Sequence, residues 1–518
     1  MYDTSRVIFL FSRIHINIER EGRALKMYLK KLLQSVRGVK VIAPKGVRYE
    51  EVFVRGLCDD HRLVKEGDLF FCKKGANFDS HTVVAEVLKK GAAAIVCERE
   101  LAVSAVQIVT KDSREASALM ASEFYARPST KLKIIGVTGT NGKTTTAYML
   151  SSILKRAGKS VGIIGTLGVY YAHKKIAPEL TTPDPLFLQE TLADMAALGV
   201  EYVVMEVSAH ALYYKKDAGI EYAACIFTNC TQDHLDFFKS MDSYSKTKKT
   251  LFTLEKCPLA ILNADDALGL EIGEEFLGET LYYGLETPSH SFAVITSEGL
   301  QGTEMMLNIK DRLKRVKLQL TGRHNVYNAL AAATCAQALG FTMTQIADGL
   351  SGLTRVKGRL EAVADYQGAQ IFVDFAHTPD GLQKSLSALK KHCRGRLICL
   401  FGCGGNRDKE KRPLMGEAVA LAADFAVLTS DNPRYEDPMD IIADIEKGYR
   451  PLSTKYVIVP EREKAIGYAL ELLKEGDILL VAGKGGEDYQ EIMGIKYLLN
   501  DNDLIKKTIK EKGVERPF

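Results

Sequence analysis

The residues whose chemistry is easiest to name are Thr138-Gly139-Thr140-Asn141-Gly142-Lys143-Thr144-Thr145. They follow the apolar run Ile134-Ile135-Gly136-Val137 and precede a stretch with helical periodicity. In such a glycine-rich turn the backbone N–H groups of Gly139, Thr140, Asn141 and Gly142 can cradle phosphates, and the helix N-terminus favours the anion. Lys143 would neutralise the outer phosphates, and the Thr144 hydroxyl would hold Mg²⁺. The strict phosphate-loop spacing breaks at Val137, which stands where the first glycine belongs, with Gly136 and Gly139 on either side.

Two further strings follow apolar strands. Met205-Glu206-Val207-Ser208-Ala209-His210 puts a carboxylate at a strand end, where it can meet a metal ion in the same sheet as the phosphate turn. Read alone, Glu206 is more often an ordinary loop acid. Thr228-Asn229-Cys230-Thr231-Gln232-Asp233-His234-Leu235-Asp236 sets His234 beside that metal position.

Together these strings resemble the Mur ligase family, ATP-dependent amide ligases of peptidoglycan precursor synthesis. The resemblance runs from about Met27 to the C-terminus. It is strongest to the branch that extends UDP-N-acetylmuramoyl-L-alanyl-D-glutamate by the third peptide residue. By matching motif it implies Lys143 and Thr144 on ATP and Mg²⁺, Glu206 on Mg²⁺, and His234 near a second Mg²⁺. It also implies a carbamylated lysine at Lys248, in Tyr244-Ser245-Lys246-Thr247-Lys248-Lys249. Carbamylation would turn that cation into an anionic oxygen ligand. Gly322-Arg323-His324-Asn325-Val326-Tyr327-Asn328 matches the family's adenine-side string through Asn325 and Asn328, whose amides both donate and accept. Helix capping is the other reading of Asn325. Arg359, in Gly358-Arg359-Leu360-Glu361, matches a residue near the ATP phosphates, and Asp374 one near the ribose.

For the acceptor, Asp431-Asn432-Pro433-Arg434 resembles the signature of ligases that select meso-diaminopimelate. That amino acid differs from lysine by one carboxylate, which a planar guanidinium grips with paired hydrogen bonds. Arg407, Gly483 and Glu487 match further acceptor positions. Thr181, Thr182 and Ser208 agree with contacts to the muramoyl peptide. Lys216 stands where arginine is usual, and Asp60-His61-Arg62 replaces the usual Asp-Ser-Arg, removing a uridine-side serine.

The implied reaction activates the D-glutamyl γ-carboxylate as an acyl phosphate, which the diaminopimelate amine then attacks. Rival readings are a lysine-adding or folylpolyglutamate-synthase-like ligase, a P-loop kinase or regulatory NTPase, and a silent module with a relic nucleotide site. Only the coupling ligases would turn over ATP in dependence on an amino acid.

The elements that must position these residues are strands alternating with helices. Apolar runs predict strands at Leu69–Cys72, Ala93–Val96, Ile134–Thr138, Tyr202–Val207, Ala223–Phe227, Leu259–Leu262, Ile371–Asp374, Leu397–Phe401, Phe425–Thr429 and Ile478–Val481. Helices are expected near 82–90 and over Asn325–Leu339, and Met27 opens a helical pattern through Leu29, Leu32 and Leu33. The expected class is α/β in three domains, with a central P-loop ATPase-like parallel sheet and a C-terminal Rossmann-like domain. The expected divisions are an N-terminal extension over 1–26, a UDP-sugar unit over 27–129, an ATP unit over 130–356 and an amino-acid unit over 357–518. The start is open between Met1 and Met27.

Composition agrees with that class. The 518 residues are 46% hydrophobic and 26% charged, and the net charge of +4 is not massed into a basic stripe, so no nucleic-acid partner is expected. Ten cysteines form no C-x-x-C pair and read as reduced core residues. No apolar run approaches the roughly 20 residues of a membrane helix. A cytoplasmic, monomeric enzyme is the expectation, with roles in cell wall biogenesis, cell shape and division implied by the resemblance.

Overall fold

The computed structural model describes residues 26–75, 78–177 and 179–513. The expected N-terminal extension thus lies almost wholly outside the described residues. Three large sheets succeed one another along the chain. The first has five strands in the order Lys40–Ile42, Gln107–Val109, Ala94–Cys97, Asp68–Phe71 and Gly56–Cys58, parallel except for its first pair. Met27 does not open a helix. With Tyr28 it pairs antiparallel to Phe53–Val54, and the helix Leu29–Leu33 follows, burying Leu29 and Leu32. The helix expected near 82–90 is split into a 3₁₀ turn, Ser80–Val83, and an α-helix, Val84–Lys89.

The second sheet has eleven strands. Its centre is parallel: Val161–Gly165, Tyr202–Glu206, Lys133–Thr138, Ala224–Phe227, Leu259–Asn263 and Glu279–Tyr283 lie side by side in that order. Helices cover both faces, which is why these strands read as continuous apolar runs. Lys143–Arg156 and Arg323–Ala338 pack on one face, and Pro185–Ala197 lies with the core of the other. The sheet is mixed rather than purely parallel. An antiparallel pair, Gly168–Tyr171 and Lys174–Ile176, extends one edge. An antiparallel ribbon, Ser291–Gly299, Gly302–Ile309 and Arg312–Leu318, extends the other.

The third sheet runs Glu361–Tyr366, Ala369–Asp374, Ile478–Ala482, Leu397–Phe401, Phe425–Leu428 and Tyr456–Ile458, parallel after its first pair. The loops leaving the C-terminal ends of its strands carry Phe375, Gly402, Thr429 and Gly483, the edge at which open α/β sheets bind ligands. Arg462 anchors two of those loops from beneath. It is fully buried against Asp501, with Nη2 2.7 Å from Oδ2, and it also donates to the carbonyls of Ser430 and Ala482. Arg462→Met leaves a buried, unpaired carboxylate. It is expected to cost about 3–5 kcal/mol in the denaturant-induced unfolding of this unit, and a loss under about 1 kcal/mol would contradict the anchoring role.

Candidate active site

The phosphate turn is built as its glycines require. Gly139 and Gly142 have φ of +146° and +87°. A Cβ on Gly139 would fall 1.9 Å from Thr228 Oγ1, and one on Gly142 2.3 Å from Asn328 Oδ1. The helix Lys143–Arg156 starts at Gly142 with no side-chain cap, so its first-turn amides face the cavity ready for an anion. The half-buried Lys143 donates to Gly139 O at 2.8 Å and Thr140 O at 2.9 Å, and its partial burial lowers its pKa.

Glu206 is completely buried. Its carboxylate accepts from Thr144 Oγ1 at 2.9 Å, Thr166 Oγ1 at 3.0 Å and the Thr166 amide at 3.0 Å. Among the described residues no lysine, arginine or histidine forms an ion pair with it. A buried carboxylate satisfied only by neutral donors, beside a threonine hydroxyl, is a hard-oxygen set that suits Mg²⁺ with phosphate and water completing the shell. His234 belongs to a different corner. Its Nε2 lies 3.3 Å from Asp233 Oδ2, its ring stands at 90° to His210, and burial pushes its pKa down to about 3, so the imidazole is neutral. No cluster of three or more His, Cys, Asp or Glu among the described residues forms a protein-only metal cage.

Three lysines share the helix Met241–Lys249, and only one faces inward. Lys246 pairs with Asp242, and Lys249 with Glu271 and Glu275. Lys248 is buried with Nζ 4.0 Å from the Tyr244 ring centre, and burial, with the nearby Lys143 charge, lowers its pKa to about 7.

The C-terminal sheet supplies the facing wall. Arg359 Nη2 donates to Thr144 Oγ1 at 2.9 Å, and its guanidinium stacks on Phe375 at 4.3 Å. Asp374 lines the same cavity, but its carboxylate accepts from the amides of Leu360 and Phe375 and from Ser385 Oγ. Asn325 does not cap its helix. Gly322 occupies that position, and Asn325 lies inside the first turn, donating to Thr321 O at 2.8 Å while accepting from Asn328 Nδ2 at 3.1 Å. Arg434 has φ +54°, and its Nε pairs with Glu491 at 3.0 Å while Nη1 donates to Gly405 O at 2.8 Å. Arg407 faces the same space. Asn432 accepts from Lys484 Nζ at 3.0 Å and donates to Glu487 at 2.9 Å. A Cβ on Gly483 would fall 2.5 Å from Asp431 Oδ2.

One cavity of about 750 Å³ joins these groups. Gly142, Lys143, Thr144, Thr145, Glu206, His234, Asn325, Asn328, Arg359 and Asp374 line it together with Arg407, Asp431, Asn432, Arg434, Gly483 and Glu487. Thr181 and Ser208 reach it as well, Thr181 through a 3.1 Å contact with Thr166 Oγ1. Thr182 sits just behind, donating to Glu206 O. Gly139 and Lys248 lie outside the lining, as does Lys216, which pairs with Asp184 at 2.8 Å. His61 stacks on Phe78 in the first unit, away from this cavity.

Sequence reading assigns no role to several lining residues. Thr166 has no motif around it. Asp233, His377 and Lys411 meet through space: Lys411 Nζ lies 3.2 Å from Asp233 Oδ1, and His377 Nε2 lies 3.7 Å from Oδ2. Burial opposes charge on Asp233, but Lys411 and His377 hold its carboxyl well below the usual carboxylate range.

Residues 137–336 match the Mur ligase middle domain, and residues 358–485 the Mur ligase glutamate ligase domain. A UDP-N-acetylmuramoyl-L-alanyl-D-glutamate–2,6-diaminopimelate ligase from Caldanaerobacter subterraneus subsp. tengcongensis is 40% identical over 475 residues, covering 90% of this chain and 98% of that protein. The chain belongs to the Mur ligase family. A solved ligase of the same name superimposes on this Mur ligase with a TM-score of 0.64 and 30% identity, over 91% of this chain and 97% of that one. The MurF ligase of Thermotoga maritima, solved in complex with ADP, shares the fold at 21% identity with a TM-score of 0.62, over 89% of this chain and 99% of that one.

Proposed function

We infer that this Mur ligase uses ATP to join 2,6-diaminopimelate to the D-glutamyl γ-carboxylate of UDP-N-acetylmuramoyl-L-alanyl-D-glutamate, in peptidoglycan precursor synthesis. The observation that carries the reading is the single cavity with a phosphate turn at one end and two arginines, Arg407 and Arg434, at the other. It gives both reaction partners anion-binding walls facing one shared space, where orientation lowers the barrier. We read residues 27–129, 130–356 and 357–518 as the units for the UDP-sugar, the nucleotide and the acceptor. The reading assigns the enzyme to the cytoplasm as a monomer without nucleic-acid or membrane partners. Among the described residues no helix is long and apolar enough to cross a membrane.

In the first step a γ-carboxylate oxygen of the D-glutamyl residue attacks the γ-phosphorus and ADP leaves, forming the acyl phosphate. Lys143 and Arg359 face the transferring group and offset its charge. Thr144 and Glu206 would hold Mg²⁺, and the reading assigns His234, now paired with Asp233, to a second ion. The metal, when bound, neutralises phosphate charge and aligns the oxygens for in-line transfer. Arg434 and Arg407 orient the acceptor, its amine attacks the acyl carbon, phosphate departs and the amine loses a proton. The reading assigns the adenine edge to Asn325 and Asn328, which would reach it by exchanging the contacts they make with Thr321 O and with each other, and closure of the facing walls would keep water from the acyl phosphate.

The test is ATP-dependent coupling on the UDP-linked dipeptide, with diaminopimelate and lysine supplied in parallel. Phosphate release should require dipeptide and diaminopimelate together. Release without an amino acid would favour an NTPase, and equal use of lysine would favour the lysine-adding branch.

Lys248 gives a second expectation. Its neutral amine can attack CO₂, forming a carbamate with loss of one proton, and only the unprotonated form reacts. With the pKa drawn down to about 7, the amine is largely neutral at pH 8 and becomes charged as the pH falls through that value. Activity at limiting CO₂ should therefore decline below pH 7 and recover with added bicarbonate. A carbamate carbon should appear in the ¹³C spectrum with labelled bicarbonate. If the Lys248→Ala variant shows the same signal, the assignment fails.

A further inference from the structure

The meeting of Lys411 with Asp233 carries an inference that rests on the functional reading above and adds residues to it. Asp233 ends the loop that follows the strand Ala224–Phe227 of the central sheet, one residue before His234. Lys411 starts the helix Lys411–Ala422 of the C-terminal sheet, four residues after Arg407. The two side chains come from different sheets, yet they keep only 8% and 5% of their surface exposed. His377, on the loop after Ala369–Asp374, faces the second carboxylate oxygen, so three segments converge on one acid.

Such a pair contributes little net stability, because both charges lose their hydration when it forms. Parted, each end regains water. The pair therefore favours one arrangement of the two sheets over an open one without locking it, the property a closing contact needs. Two other contacts cross the same cleft: Arg359 to Thr144, and Asn141 Nδ2 to Asp380 Oδ2 at 2.9 Å. Neither involves the segment 402–411. Lys411 does, and that segment also holds Arg407 and the Gly405 carbonyl that fixes Arg434.

We propose that Asp233 and Lys411 are positioning residues that seat the acceptor-binding loop against the phosphate-binding side, so that Arg407 and Arg434 come into register with the carboxyl group being activated. When Lys411 reaches Asp233, the loop bearing the acceptor's anion site is drawn to the strand end beside the nucleotide. Acceptor affinity is thereby tied to closure, whereas the phosphate turn itself is complete without it.

The experiment combines amide hydrogen exchange and steady-state kinetics on the full chain, for Lys411→Gln, Asp233→Asn, the double variant and Lys411→Arg. Each single variant should speed exchange in both 228–234 and 402–411, and the double variant should add little to either. KM for diaminopimelate should rise about tenfold, with KM for ATP changed less than about threefold. Lys411→Arg should restore KM for diaminopimelate to within about threefold of the parent. Faster exchange confined to the substituted segment, or fully additive losses in the double variant, overturns the proposal. A merely structural role would shift both KM values together and would not be rescued by arginine. If the parent protein fails to couple diaminopimelate at all, the functional reading falls, while the exchange result still decides whether the contact links the two segments.

Discussion

Replacing Lys143 with methionine is expected to reduce diaminopimelate-dependent phosphate release by about a thousandfold, while leaving the melting temperature unchanged or higher. The two halves of that result have separate causes. The ammonium group is half-buried and, among the described residues, pairs with two loop carbonyls, Gly139 O and Thr140 O, rather than with a carboxylate, so the folded protein gains little from its charge. A γ-phosphoryl group in transfer carries negative charge at that spot, and a preorganised cation there stabilises it in the transition state as well as in bound ATP. Retention of activity within about tenfold would remove Lys143 from the mechanism. A fall of more than about 5 °C in melting temperature would instead show that the side chain holds the turn together.

The second large effect concerns acceptor choice. Arg434→Lys should lower kcat/KM for diaminopimelate by about a hundredfold, roughly the worth of a charge-assisted, two-point contact. Whatever rate lysine supports should change by less than about threefold. The reason lies in how the guanidinium is already committed. Glu491 takes Nε and Gly405 O takes Nη1, which fixes the plane and leaves the Nη2 side for a carboxylate, with Arg407 adjacent. An ammonium group at residue 434 keeps the charge but cannot satisfy Glu491, Gly405 and a substrate carboxylate in one plane. Equal losses with both amino acids would mean that Arg434 only supports the turn.

The parts of this molecule that were legible from sequence share one property: they bury both faces. Lys133–Thr138, Tyr202–Glu206, Leu397–Phe401 and Ile478–Ala482 are unbroken apolar runs because helices cover them on each side. The ribbon Ser291–Leu318 escaped for the opposite reason. Its last strand, Arg312–Leu318, carries four basic residues, and the adjacent Lys314 and Arg315 break the apolar–polar alternation that would mark a strand. Local motifs placed Lys143, Thr144, Glu206, Arg359 and Arg434 around one space. Lys248 was singled out only by its match to the family motif; packing against Tyr244 is what physically separates it from Lys246 and Lys249. Local motifs could not pair Asp233 with Lys411, 178 residues apart, since that meeting exists only once two sheets face each other. Asn325 shows the same limit. An asparagine ahead of an alanine-rich helical run reads as a cap, whereas the positive φ of +95° at Gly322 starts the helix three residues sooner.

The cavity between the sheets has walls from both, with Lys143 and Thr144 on one side and Arg359, Arg407 and Arg434 on the other. A small molecule long enough to touch both walls is bound by groups of both sheets at once. If its release needs the walls to part, Arg359 must leave Thr144 and Asp380 must leave Asn141. The residence time of such a compound would then be set by how often the protein opens rather than by the strength of its own contacts. Two inhibitors of unequal affinity but equal span should dissociate at nearly the same rate, and a shorter one confined to the phosphate turn should leave faster than both.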